Sequence, residues 1–265
     1  MRKVNSMFLM ADMQIIINQA NKKYIMTKVE AIQKVMENNQ GTASLEIIYK
    51  NVEKYYPSAK DSDEWEAGIR GVLYREIRNN KRFKKIGLSI YALKEYIEEQ
   101  KPKKDDIIRM HSYIEGICLE LGNFKNFQTY TADPSAIYRD NLNLCNISTM
   151  DEMPLFSYNE IVQEVKRMDV IWFNQKGLYF PQKVFEVVDS IGTLNGAFNR
   201  CLQLRNFRTD FYIVAPEQHR NKFIQTMRLE TYRENNERFK FINYDEIIEL
   251  YDNASKVNKI EGKIF

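Results

Sequence analysis

Three cysteines in 265 residues, Cys118, Cys145 and Cys201, are too few and too scattered for a disulfide framework. No CxxC pair occurs and only two histidines exist, His111 and His219, so a structural zinc site lacks a ligand pattern and buried free thiols are expected. Gly and Pro are sparse, at 10 and 6, which leaves little material for long irregular loops. No window approaches about 18 uninterrupted apolar residues, so a membrane span is excluded. The opening Met1–Met10 has no apolar signal core and is followed by Asp12 and Gln14. It reads as an ordinary N-terminal helix over residues 1–26, and a cytoplasmic location is expected. GxxxxGK[ST], GxGxxG and HExxH runs are missing, which removes support for ATP motors, dinucleotide enzymes and zinc proteases.

What is present is a foldable chain. Hydrophobic content of 44% and aromatic content of 12% exclude disorder, and the length suits one large or two modest domains. The net charge of +3 is unevenly spread: residues 1–110 hold 21 Lys and Arg against 15 Asp and Glu, the remainder 18 against 21. The basic excess sits where a nucleic-acid-contacting module would want it.

Residues 27–97 form the first unit. Thr27-Lys-Val-Glu30 fits a capping box, followed by Val29, Ile32, Val35 and Met36 on one helical face. A short helix starts at Ser44, with Leu45, Ile48 and Val52 inward. Glu64 to Asn80 predicts a third helix burying Trp65, Ile69, Val72, Leu73 and Ile77. Its other side shows Arg70, Arg75 and Arg78. Lys81-Arg-Phe-Lys-Lys85 and Ile86-Gly-Leu-Ser-Ile-Tyr-Ala-Leu93 predict two short strands around Gly87, a basic wing. Three helices and a wing make a winged helix-turn-helix, and the stretch resembles the HARE-HTH module, down to Phe-Lys-Lys-Ile-Gly and Tyr-Ala-Leu. The resemblance implies DNA binding and sensing of base modification. The DNA-contacting candidates are Arg70, Arg75, Arg78, Lys81, Arg82, Lys84 and Lys85, on the groove-entering helix and the wing. The plain alternative is a solvated helix face neutralised by Glu64, Glu66 and Glu76.

A polar linker with Pro102 spans residues 98–110, and residues 111–265 form the second unit. His111 to Leu121 predicts a helix with Ile114, Ile117, Cys118 and Leu121 on its apolar face, closed by Gly122. Residues 129–153 read as a loop with partial strand character. Ser157-Tyr-Asn-Glu160 fits a second capping box. Asp169-Val-Ile-Trp-Phe173 and Val184-Phe-Glu-Val-Val-Asp189 predict a hairpin turned by Asn174-Gln-Lys-Gly177. Asp169, Ile171 and Phe173 share one strand face, as do Val184, Glu186 and Val188. Carboxylates among apolar strand neighbours are costly unless paired or bound to a cation. Two converging from neighbouring strands point to a divalent metal; the alternative is two strand-end residues reaching solvent or an Arg. Leu194–Leu204 predicts a helix carrying Arg200, and Phe211–Ala215 a buried strand stopped by Pro216. A helix over 217–235, a strand over 238–242 and a helix over 243–251 follow.

The order helix, strand, strand, helix, strand with Asp169 and Glu186 resembles the PD-(D/E)XK nuclease superfamily, and Val184-Phe-Glu-Val resembles a subgroup of its restriction endonucleases. The resemblance implies a mixed α+β (α/β) chain, a winged helix followed by an αβββαβ nuclease core. It implies Asp169 and Glu186 holding Mg²⁺, phosphodiester hydrolysis in double-stranded DNA, and a homodimer. The first core helix in such folds sometimes adds a metal-binding Glu; Glu115 and Glu120 are the candidates. The chain departs from the pattern at Val188, where the superfamily has Lys, Glu or Gln. Asp189 is the first substitute, re-aimed by a bulge, with Lys183 or Gln182 as alternatives. Arg200 is expected as a phosphate or carboxylate partner. Two other readings stay open: a non-catalytic DNA-binding modification reader with a decayed nuclease fold, favoured by Val188, and an RNA-directed nuclease.

Overall fold

A computed structural model describes residues 26–103 and 106–264, so the helix expected over residues 1–26 lies outside the described residues save for Met26. The chain is mixed α+β. Thr27 caps the first helix α1 (Lys28–Asn38) as its sequence requires: its hydroxyl accepts from Glu30 N–H, and Thr27 N–H donates to Glu30 Oε2 at 2.8 Å. Strand β1 (Thr42–Ser44), helix α2 (Leu45–Asn51), helix α3 (Trp65–Arg78) and strands β2 (Phe83–Lys85) and β3 (Ile90–Leu93) complete the first unit. Its antiparallel sheet has the order β1-β3-β2. Ile69, Val72 and Leu73 are buried as their spacing requires, whereas Trp65 and Ile77 are only half-buried.

The second unit is built on helix α4 (Ile107–Phe124), which starts inside the expected linker, four residues before His111. Strands β4 (Gln128–Thr131), β5 (Ile137–Arg139) and β6 (Leu142–Asn143) follow, so the stretch over 129–153 holds short strands. Helix α5 (Asn159–Val165), strands β7 (Val170–Phe173) and β8 (Pro181–Val187), helix α6 (Leu194–Cys201) and strand β9 (Asp210–Ala215) come next. Helices α7 (Arg220–Met227) and α8 (Glu230–Arg233), strand β10 (Phe239–Asn243) and helix α9 (Tyr244–Ile264) end the chain. The five-stranded sheet runs β10-β9-β8-β7-β4: β4, β7 and β8 are antiparallel neighbours, and β9 and β10 run parallel to β8.

Strand alternation sorts this sheet into two faces. Ile171, Phe173, Val184 and Val188 pack with Phe198 and Cys201 of α6. Val170, Trp172, Phe185 and Val187 pack on the other face, in a core continuous with that of the first unit. Helix α4 lies in the middle of that core. It carries two interior glycines despite their cost of about 0.5–1 kcal/mol each, because a Cβ at Gly116 would meet the Tyr138 ring at 2.2 Å and one at Gly122 would meet Trp172 at 2.6 Å. Trp172 Nε1–H donates to the Cys118 carbonyl at 3.0 Å, which fixes α4 against β7.

Several local expectations differ from the structure. Tyr158, not Ser157, is the N-cap of α5, and no side chain caps that end. The segment 217–235 is broken into α7 and α8, with the Thr226 hydroxyl bonding back to the Lys222 carbonyl at 2.9 Å. The α9 helix runs thirteen residues beyond Tyr251. Cys118 and Cys201 are buried free thiols, while Cys145 is half-buried.

The expected wing shows the largest difference. The β2–β3 turn, Ile86 to Ser89, is buried rather than projecting. Ser89 N–H donates to Glu120 Oε2 at 2.9 Å, and Arg139 Nη2 donates to the Ile86 carbonyl at 2.6 Å. Lys85 points at Asn258 and stacks its ammonium over Tyr91 at 5.6 Å; burial pushes its pKa down to about 8. Lys85 therefore belongs to the joint between the units, since its side chain is spent on α9 and β3. Lys84 pairs with Glu98 at 3.4 Å, and Arg70 donates to the Tyr49 hydroxyl at 2.8 Å. Arg75, Arg78, Lys81 and Arg82 are exposed.

Candidate active site

Antiparallel pairing of Val170 with Phe185 brings Asp169, one step before β7, opposite Glu186 on β8. Asp169 Oδ2 accepts from the Val187 N–H at 2.7 Å, which locks the carboxylate at the strand ends. Helix α4 presents His111 and Glu115 to the same place, one turn apart on one face. Ligand atoms of His111, Glu115 and Asp169 all lie within 4.8 Å of one another. Glu115 is 2% exposed, and His111 Nε2 stands 3.8 Å from its Oε1.

Glu186 is fully buried and paired with Arg200 of α6. Arg200 Nε donates to Glu186 Oε1 at 2.9 Å and its Nη2 donates to Oε2. Arg200 is thus a carboxylate partner, held bidentate in the geometry that favours guanidinium. Asp189 is committed too: His111 Nδ1 lies 2.6 Å from Oδ2, and the Tyr244 hydroxyl donates to Oδ1 at 2.5 Å.

Electrostatics follow from crowding carboxylates in a poorly solvated place. Burial pushes Glu115 up to about 8, with Asp169 adding repulsion. Burial also raises Asp169, against the pull of His111 and the Val187 N–H. Glu186 rises to about 8 through burial, opposed by Arg200. For His111, burial alone would lower the pKa, but the Asp189 hydrogen bond and the Glu115 and Asp169 charges outweigh it and lift the imidazole to about 9. Asp189 is lowered, its burial outweighed by hydrogen bonds from His111 and Tyr244.

The remaining sequence candidates fall elsewhere. Val188 is 2% exposed and packs on the α6 face, so it offers the site no polar group. Lys183 lies on the opposite face of β8 from Glu186, bonded to Asp210 at 3.1 Å and the Tyr212 hydroxyl at 3.2 Å. Gln182, at the register break of β8, is four residues from Glu186, about 13 Å along a strand, and its amide donates to the Phe180 carbonyl at 3.3 Å. Glu120 lies away from the site, accepting from Ser89 of the β2–β3 turn, Tyr138 and Tyr251. Two site residues carried no assignment in the sequence, His111 and Tyr244. The i, i+4 spacing of His111 and Glu115 was the available signal for the first; Tyr244 had none.

The strand ends of the mixed sheet thus gather carboxylates against a buried helix. Residues 93–264, more than half of the chain, match the family model described as the type II restriction enzyme NmeDI C-terminal domain, and the chain belongs to that family. No curated protein and no solved structure matches the chain. Among the described residues no helix is long and apolar enough to cross a membrane.

Proposed function

We propose that this protein is a Mg²⁺-dependent type II restriction-like endonuclease that hydrolyses phosphodiester bonds in duplex DNA. The observation carrying this reading is the meeting of Asp169 with Glu115 at the strand ends, next to Glu186, in a chain of a restriction-enzyme family. Restriction endonucleases generally use a divalent metal. The residues fit one: His111, Glu115 and Asp169 bring ligand atoms within 4.8 Å of one another, and two of the three are carboxylates, the donor type that divalent ions take. Asp169 and Glu115 would hold the ion, and Glu186, whose oxygens each accept one bond from Arg200, would lend it only a remaining lone pair. When bound, the ion supplies an acidified water and offsets charge on the scissile phosphate.

The chain's own groups do the positioning. The Val187 N–H and the β7–β8 ladder hold Asp169, and α4, clamped by Trp172, holds Glu115. Arg200 holds Glu186 in one orientation and offers the guanidinium face left over to a phosphate. Asp189 does not replace the residue missing at Val188, because both of its oxygens are engaged by His111 and Tyr244. The core order α4-β4-β7-β8-α6-β9 supports a PD-(D/E)XK αβββαβ reading, and the order α1-β1-α2-α3-β2-β3 supports a winged helix. In that reading α3 enters the major groove with Arg75, Arg78, Lys81 and Arg82 reaching the DNA, two copies address the two strands, and the protein works in the cytoplasm.

The test is Mg²⁺-dependent cleavage of methylated and unmethylated genomic DNA, with Asp169→Ala and Glu186→Ala beside the parent. Discrete fragments lost in both variants support the reading. Tight duplex binding without cutting would favour a second reading, a non-catalytic modification reader. The Glu186–Arg200 pair, which occupies both Glu186 oxygens, and the buried Val188 are the observations that favour it.

A further inference from the structure

We infer that His111 is a nitrogen ligand of the ion held by Asp169 and Glu115, oriented by Asp189 and Tyr244, so that the site prefers Mn²⁺ over Mg²⁺. This rests on the metal-site reading above and goes beyond it in ligand set and in metal. Three features carry it. The Nε2 of His111 faces Glu115 Oε1 across 3.8 Å, within the group whose ligand atoms lie no more than 4.8 Å apart. The other ring nitrogen, Nδ1, is 2.6 Å from Asp189 Oδ2, an arrangement in which Nδ1 carries the proton and Nε2 presents its lone pair to the ion. Metal-binding histidines typically have such a carboxylate on their second nitrogen, which fixes the tautomer and ring plane. Asp189 is itself fixed, because the Tyr244 hydroxyl donates to its Oδ1 at 2.5 Å. Glu115, one helical turn along α4, is 2% exposed and brings its carboxylate to the same point as Asp169 and His111.

The donor set then decides the ion. Mg²⁺ takes oxygen ligands, keeps several waters and dehydrates reluctantly. One imidazole beside two carboxylates shifts preference toward first-row transition ions, of which Mn²⁺ accepts both donor types. Asp189 and Tyr244 are positioning residues here, since they act through His111 and not on the ion.

The experiment uses the full chain without DNA, so that it reads the site and not catalysis. Pulsed EPR of the Mn²⁺-loaded protein should show ¹⁴N coupling from one imidazole, and His111→Gln should remove it. Calorimetric titration should show Mn²⁺ binding about tenfold or more tighter than Mg²⁺. In His111→Gln that ratio should fall toward one, and Asp189→Asn should weaken Mn²⁺ binding by about 10–100-fold while the nitrogen coupling persists. Bound Mn²⁺ without nitrogen coupling in the parent protein would overturn the inference and leave an all-oxygen nuclease site standing. Failure to bind either ion would overturn both readings. Nitrogen-coupled Mn²⁺ in a protein that cuts no DNA would support the inference and remove the endonuclease.

Discussion

The Ser89 N–H donates to Glu120 across the boundary between the two units, 2.9 Å to an acid that solvent does not reach. The same carboxylate accepts from the Tyr138 hydroxyl at 2.9 Å and the Tyr251 hydroxyl at 2.8 Å. One buried acid thereby ties the β2–β3 turn, β5 and α9 to helix α4, which also carries His111 and Glu115. The DNA-binding candidate and the candidate site share a rigid element, so the two units are expected to unfold as one.

Removing that acid takes the acceptor from buried donors on Ser89, Tyr138 and Tyr251. Glu120→Ala is expected to cost about 3–5 kcal/mol, since each orphaned group is worth about 1–3 kcal/mol and the losses overlap. Gly87→Ala tests the same joint from the other side, because its Cβ would stand 2.7 Å from Glu120 Oε2 and 2.9 Å from the Tyr251 hydroxyl. Urea titration followed by tryptophan fluorescence measures both. A single transition at lower urea for each supports the joint. Two resolved transitions in the parent protein would show that the units are independent.

The Glu186–Arg200 pair predicts a separation of stability from activity. Removing one partner of a buried ion pair costs about 3–5 kcal/mol, whereas replacing both is often neutral. Arg200→Met should therefore destabilise strongly, and Glu186→Gln combined with Arg200→Met should recover most of the loss. Neither protein should cleave DNA. Recovery of cleavage in the double variant would remove Glu186 from the catalytic machinery.

How far the sequence could carry the site depends on which contacts are local. Asp169 and Glu186 were legible because one hairpin joins them and strand alternation fixes their faces. Glu115 was legible as a candidate from the resemblance and its place on the first core helix. The use of Asp189 and Tyr244 to hold His111 was not, because these three residues come from three distant elements whose approach is set by tertiary packing. The buried wing turn was hidden for a similar reason. Ile86-Gly-Leu-Ser89 is short and mixed in character, and only the glycine hinted at close approach. The helices α1, α3 and α4 were readable from their apolar spacing, while the start of α4 inside a charged stretch was not.

Crowded acids predict how stability depends on pH. Glu115 titrates near 8 in the folded chain against an ordinary 4.5, and His111 near 9 against 6.5. The folded state therefore holds more protons than the unfolded state through this range, and stability falls as pH rises from about 5 to 8. Each excess proton is worth about 1.4 kcal/mol per pH unit. Glu46, raised to about 7 by burial far from the site, adds a slope of the same sign that no metal at the site relieves. Thermal melts in EDTA should show Tm dropping by several degrees over this range. Mn²⁺ should flatten the part of the slope that Glu115→Gln also removes. A metal-free Tm that is constant or rises with pH would contradict the arrangement.

Salt dependence separates the cations that remain free for DNA from those already used in the fold. Arg75, Arg78, Lys81 and Arg82 are exposed on and just after α3, with the Arg82 guanidinium donating to Gln33 at 3.0 Å. If they meet phosphates, each contact releases counterions, and neutralising one should lower the slope of log affinity against log salt by about 1. Arg75→Ala with Arg78→Ala should then cut the slope by about 2 and weaken binding alike on every duplex sequence. Lys85→Met should leave both slope and affinity unchanged, because Lys85 faces Asn258 and Tyr91. The same substitution should raise stability at neutral pH by about 1–2 kcal/mol. Burial lowers the Lys85 pKa to about 8 from 10.5, so holding it protonated opposes folding until the pH climbs through that interval. Fluorescence anisotropy of a labelled duplex across a salt series decides the matter. A loss of affinity in Lys85→Met equal to that in the α3 variants would mean that the β2–β3 turn leaves its buried seat to meet DNA.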